Sequence, residues 1–297
     1  MIVDMRYHVA SLVAVFLALG LGIIVGANLG VSANPQFEKQ IDQLEQTYQK
    51  IRNDQKTLEA SLQTKDNELE IANQFQNAIV PSLVGDRLLG KRIAIIRTND
   101  SIDFKYAKQV VNLLRRAGAE VTSITSITKP FDFSDPAFKT ELVEAFNLNT
   151  TETKDLFPLV SSKMMQILIH GQGSSELLFL QNKDLIQLWG DYNRGYVDTL
   201  IFLGGGMNPL GDYQKELDLP LLESARKSGV TVVGVEPSFV TNSYMRLYQS
   251  KCLGTVDNID TAPGEVSLVY LLANGKRGYY GVKDTARSLL PTLKLNY

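Results

Sequence analysis

The chain has 297 residues, 44 % hydrophobic and 21 % charged, with a net charge of −2. Near-neutral charge without a dense basic run argues against nucleic acid as a partner. A single cysteine, Cys252, excludes an intrachain disulfide, and two histidines, His8 and His170, leave few imidazole ligands for a metal.

Residues 9–31 hold no charged side chain and only Ser11 and Asn28 as polar interruptions. At about 1.5 Å per residue they make a helix roughly 34 Å long, enough to cross a hydrocarbon core of about 30 Å. The sequence therefore predicts one transmembrane helix over 9–31. Arg6 lies before it, and the first charges after it are Glu38 and Lys39. The positive-inside rule then puts 1–8 in the cytoplasm and the rest of a single-pass protein outside the cytoplasmic membrane. Val31-Ser32-Ala33 also resembles a signal-peptide cleavage site. The apolar run is longer than a signal peptide's, so the expectation is an uncleaved anchor. Ala14, Ala18, Gly22, Gly26 and Gly30 recur every fourth residue. Such a small-residue stripe lets two helices approach closely in lipid, although glycine and alanine are common in membrane spans anyway.

Asn34-Pro35 restarts the chain as cap and first helical residue. Phe37, Ile41, Leu44, Tyr48, Ile51, Gln55, Leu58, Leu62, Lys65, Leu69, Ala72, Gln76 and Ile79 then follow alternating steps of four and three. That is a heptad seam, and it predicts a coiled coil over 35–80, roughly 65 Å long if straight. A parallel homodimer fits the small-residue stripe upstream; a helix packed antiparallel on the head is the alternative. Pro81 and Gly85 are expected to end the helix.

An α/β domain is expected over 90–297. Strands are predicted at Arg92–Arg97, Val121–Ile127, Val197–Leu203 and Val230–Val235, with a further candidate at Gln166–His170. Helices are predicted at Asp103–Ala117, from Ser134-Asp135-Pro136 towards Asn147, and at Ser174–Trp189, Leu219–Ser228 and Gly264–Ala273, with a last helical piece ending at Pro291. Short apolar strands separated by helices imply a Rossmann-like parallel sheet covered on both faces.

No chemical signature is complete. Gly204-Gly205-Gly206 follows a strand, but the chain has neither GxGxxG nor a Walker pattern, so a tight turn is the better reading. His170-Gly171-Gln172-Gly173-Ser174-Ser175 lacks a nucleophile elbow, and helix capping explains its serines. Asp257-Asn258-Ile259-Asp260-Thr261 is the most distinctive polar cluster. It suits helix capping and turn structure, with an interaction surface or a hard cation as alternatives. Met164, Met165, Met245 and Cys252 are soft donors without a metal-binding spacing. The expectation is a non-enzymatic protein with no metal or other cofactor.

Several motifs together resemble the MctB family, which includes SteB-like envelope proteins. They are Arg6-Tyr7-His8-Val9-Ala10-Ser11-Leu12 running on to Gly20, and Leu88-Leu89-Gly90-Lys91-Arg92-Ile93-Ala94. They continue in Val256-Asp257-Asn258-Ile259-Asp260-Thr261, Gly264, Gly278-Tyr279-Tyr280-Gly281 and Leu289-Leu290-Pro291. The resemblance implies a membrane-anchored coiled coil bearing an α/β domain in the cell envelope. It also implies a link to copper handling or transport, or to a SteA-like membrane partner. The main expectation is a dimeric scaffold or interaction partner. Its alternatives are a copper homeostasis component and a small-ligand-binding or enzymatic head.

Overall fold

A computed structural model describes residues 5–30, 35–171, 175–207 and 213–293. The chain divides into two compact units, Met1–Ala72 and Asn73–Tyr297. Helix α1 spans Met5–Gly30 and is apolar and long enough to cross a membrane. Its side chains from Met5 to Ala27 are exposed, as a lipid-facing surface would be. Helix α2 spans Pro35–Val84, 50 residues. The hydroxyls of Thr47, Thr57 and Thr64 donate to carbonyls four residues earlier, which satisfies them within the helix. Pro81 does not end it. The helix runs on to Val84 because Val80 and Val84 are buried beside Leu88, and that packing outweighs the helical bond Pro81 cannot make.

The second unit is built on a seven-stranded sheet: β1 (Arg92–Arg97), β2 (Glu120–Ile127), β3 (Ile186–Gly190), β4 (Thr199–Leu203), β5 (Thr231–Val235), β6 (Gly254–Val256) and β7 (Gly278–Tyr280). The order is β3-β2-β1-β4-β5-β6-β7, and every pairing is parallel except β2 with β3. Successive residues of β1 serve opposite faces. Ala94 and Ile96 join the core with Phe202, Met164 and Leu221; Ile93 and Ile95 join the core with Ile201, Leu114 and Leu268. Burial on both faces is why these strands read as unbroken apolar runs.

The helices are α3 (Phe104–Arg116), α4 (Pro136–Ala145), α5 (Thr153–His170), α6 (Ser175–Asn182), α7 (Tyr213–Lys227), α8 (Met245–Gln249) and α9 (Ala262–Asn274). Asp103 and Asp135 cap α3 and α4 by accepting from the amides of Lys105 and Ala137.

Three further expectations need correction. Gln166–His170 is not a strand but the last turn of α5. Leu156, Val160, Met164 and Leu168 repeat every fourth residue into the core, and left-handed Gly171 closes the helix. The helix predicted over Ser174–Trp189 stops at Asn182. After left-handed Asp184 the chain becomes β3, the antiparallel edge strand. The tail before Pro291 is not helical: it crosses β7 by bonds from Gly281 N to Ser288 O and Arg287 N to Tyr279 O. The expectations at Val31-Ser32-Ala33, Asn34 and Gln172–Ser174 lie outside the described residues.

Candidate functional site

Parallel strands β1, β4, β5 and β6 end along one edge of the sheet. The strand order reverses between β1 and β4, and open α/β sheets commonly bind ligands outside the carboxyl ends of their strands at such a reversal. Here the protein closes that crevice on itself. Thr98 N donates to Leu203 O at 3.1 Å, and the Asn99 side-chain amide donates to Gly205 O at 3.0 Å. Gly206 and Asn242 exchange backbone bonds of 3.0 and 2.9 Å. Arg97 is buried, and its guanidinium donates to Ile102 O and Asp100, each at 2.6 Å.

The glycine run after β4 makes room for a side chain. A Cβ at Gly204, or at Gly234 in β5, would overlap the ring of Tyr248. Tyr248 is fully buried, and its hydroxyl donates to Asp218 Oδ2 at 2.6 Å while lying 3.2 Å from Thr98 Oγ1. Asp218 reaches this place from α7, and its Oδ1 has no hydrogen-bond partner among the described residues. Burial pushes the Asp218 carboxyl up to about 7, opposed by the bonds from Tyr248 and Thr98.

A second polar group closes the ends of β5 and β6. Glu236 is fully buried and accepts from Lys283 Nζ at 2.8 Å, Ser243 Oγ at 2.6 Å and Tyr244 N at 2.9 Å. Burial raises its carboxyl, and Lys283 opposes the rise. Lys283 also donates to Val240 O at 3.1 Å. Asp257 accepts from Val282 N at 2.7 Å and from Lys283 N at 3.2 Å; burial raises it as well. Asp260 accepts from Ser238 N and Oγ at 2.6 and 2.8 Å. Thr261 caps α9 and donates to Asn258 O at 2.9 Å.

The structure therefore brings Asp257, Asn258, Asp260, Thr261, Gly264, Gly278, Tyr280 and Gly281 into one knot. Gly264 gives way to Asn258 O, Gly278 to the Tyr280 ring and Gly281 to the Asp257 carboxylate. These residues tie β6, α9, β7 and the following tail together. Glu236, Lys283, Asp218 and Tyr248 carried no sequence signal, because each depends on a partner at least 30 positions away.

The remaining predicted residues lie elsewhere. Ala14, Ala18, Gly22 and Gly26 are exposed on α1, and a Cβ at Gly22 or Gly26 would meet nothing within 4 Å. Ile41, Leu44, Tyr48, Ile51, Leu58, Leu62 and Leu69 are 50–70 % exposed along α2. The surroundings of Gly30 and Phe37 lie outside the described residues. His170 neighbours Tyr196, and Ser175 donates to Glu176, so neither makes a nucleophile–base pair with the other. Met164, Met165, Met245 and Cys252 are all at most 3 % exposed in one core. Burial holds the Cys252 thiol well above its ordinary range, helped by the charge of Asp218. Among the described residues no three His, Cys, Asp or Glu side chains converge as a metal site.

Fold and site define an α/β protein with an apolar N-terminal helix, whose described residues bridge the sheet edge where ligands commonly enter. The chain belongs to the MctB family, described as "Copper transport outer membrane protein, MctB", whose family model matches residues 1–291. The "Copper transporter MctB" of Mycobacterium tuberculosis H37Rv is 24 % identical over 332 residues, covering 97 % of this chain and 98 % of the relative. Its Mycobacterium leprae namesake is 25 % identical over 320 residues, with the same two coverages.

Proposed function

We propose that this is a single-pass, non-enzymatic envelope protein that works as a homodimer. In this reading α1 anchors it in the cytoplasmic membrane and α2 pairs with a second copy as a parallel coiled coil. The Rossmann-like head stands outside and binds a protein partner; a SteA-like membrane protein is the partner that the family resemblance implies. One observation carries the reading. Seven apolar residues at heptad spacing lie 50–70 % exposed on α2. Burying a side chain of leucine size is worth about 1.5–3 kcal/mol, so an unpaired stripe of this length is costly.

Light scattering of the full-length protein in mild detergent tests it. The wild type is expected to run as a dimer and Leu58→Asp/Leu62→Asp as a monomer, with the melting temperature of the head unchanged. A monomeric wild type refutes the proposal.

The family description and the relatives' name favour a second reading, a part in copper homeostasis or transport. Cu(I) prefers thiolate and thioether donors; here Cys252, Met164, Met165 and Met245 are buried in the core, while Met5 and Met207 are exposed but stand at no metal-binding spacing. The apolar stretch of α1 from Val9 onward has no ionisable residue that could line a path. Copper handling would then run through a partner rather than through this chain's own ligands. Competition between the full-length protein and a Cu(I) chelator separates the cases, since tight stoichiometric binding would establish direct ligation.

A further inference from the structure

In the heptads of α2, Ile51, Leu58 and Lys65 fall at position d, and Gln55 and Leu62 at position a. In a parallel coiled coil, opposite charges at g of one helix and at the following e of the other usually decide how the two align. Through the middle of this seam that device is missing. The facing pairs are Thr47 with Arg52, Asp54 with Glu59 and Ser61 with Asp66, none of opposite charge. An apolar seam with such flanks slides by whole heptads at little cost, so alignment falls to the polar residues inside it.

Lys65 is the charged residue of the seam. Its Nζ lies 2.6 Å from Glu68 of its own helix, in the open. Asp66, beside it, is exposed and has no hydrogen bond or ion pair among the described residues. In a parallel pair, a d side chain enters a hole made by the a, d, e and next a residues of the facing helix. With the two helices level, the e residue of the hole that receives Lys65 is the second copy's Asp66. By symmetry both lysines then meet an aspartate. A slip of one heptad sets one lysine beside Glu59 and the other beside Asn73, against Leu58 and Ala72. The level alignment also faces Gln55 with its own copy, where a slip would set it against Tyr48 or Leu62.

We propose that Lys65 of each copy pairs with Asp66 of the other and so holds the two α2 helices in register. This rests on the parallel pairing proposed above and adds what fixes its alignment. A lysine ammonium has three donors, enough for Glu68 on its own helix and Asp66 across the seam together. Leucine at position 65 would pair the helices more tightly and let them slip.

Disulfide trapping reads the register in the full-length protein in mild detergent, where the native thiol, Cys252, is buried. Copies carrying Ile51→Cys are exchanged with copies carrying Leu58→Cys and then oxidised. Level helices bring like thiols together, whereas unlike thiols stay about 10 Å apart and bridge only after a slip. Disulfides are expected almost entirely between like variants. Asp66→Asn should raise the unlike fraction about fivefold, the worth of the two exposed ion pairs lost. Lys65→Asp/Asp66→Lys, which reverses the pair, should bring that fraction back down. Glu68→Gln removes only the neighbour on the same helix and should not raise it. A dimer whose unlike fraction ignores Asp66→Asn, or one that forms no like disulfides, overturns the proposed register and leaves dimerisation standing. A monomer in light scattering overturns both.

Discussion

Leucine plays opposite parts in two regions of this protein. Leu44, Leu58, Leu62 and Leu69 on α2 are 56–70 % exposed, whereas Leu200, Leu203, Leu221 and Leu268 in the head have no exposed surface. The head covers both faces of its sheet with its own helices and finishes its edge with its own carboxylates. Helix α2 has the same apolar residues at regular spacing and nothing within the described chain to cover them. Folding of the head is thus an internal matter, while burial along α2 needs a surface that the described residues do not supply. That difference is the physical basis for the proposed pairing.

The sharpest way to break the contrast is to spoil the head's self-sufficiency. Gly264→Val places a side chain against the backbone oxygen of Asn258, where neither strand end nor helix can retreat. More than about 4 kcal/mol should be lost, seen as disappearance of the cooperative near-UV transition while the helical signal of α2 persists. A variant that melts like the wild type would show that the knot is looser than described.

A milder probe uses protons. Asp218 has an unfolded value of about 3.9 and a folded value of about 7, so the native head holds the extra proton between them. Its contribution to stability is complete below pH 4 and is lost as pH rises through 7, with a slope of at most about 1.4 kcal/mol per pH unit. Asp218→Asn should remove that slope. The variant's melting temperature should gain on the wild type between pH 4 and pH 8, and the dimer–monomer balance should not respond.

The smallest expected effect sharpens the other side. Lys65 sits on the apolar seam in an exposed ion pair with Glu68, a contact worth less than about 1 kcal/mol. Lys65→Leu should strengthen pairing by about 1 kcal/mol, read as a lower dissociation constant in detergent, with the head's melting unchanged.

How much of this could be read from sequence depended on how local its cause was. Strand β1 matched Arg92–Arg97 residue for residue, and Asp103, Asp135 and Thr261 announced their helices, because caps and apolar runs act over a few residues. Helix α5 was missed: Pro158 interrupts its pattern, and its end, Gln166–His170, reads as a strand in isolation. Strand β6, three residues long and bounded by glycine, has too little pattern to register at all. The cluster from Asp257 to Thr261 stood out by composition, and its capping role was legible. Its closure by Ser238, Gly281 and Lys283 was not, since those residues approach only once the sheet has formed.

The notch that receives Tyr248 has a kinetic meaning. Gly204 and Gly234 weaken the ends of two central strands, since glycine gives up more backbone freedom on ordering than any other residue. The aromatic ring from α8 restores at that spot the contacts that side chains there would have made. The strand ends of β4 and β5 and the short helix α8 therefore form, and open, as one cooperative unit. Their backbone amides should exchange with solvent at a common rate, although the helix lies some ten residues beyond the nearer strand.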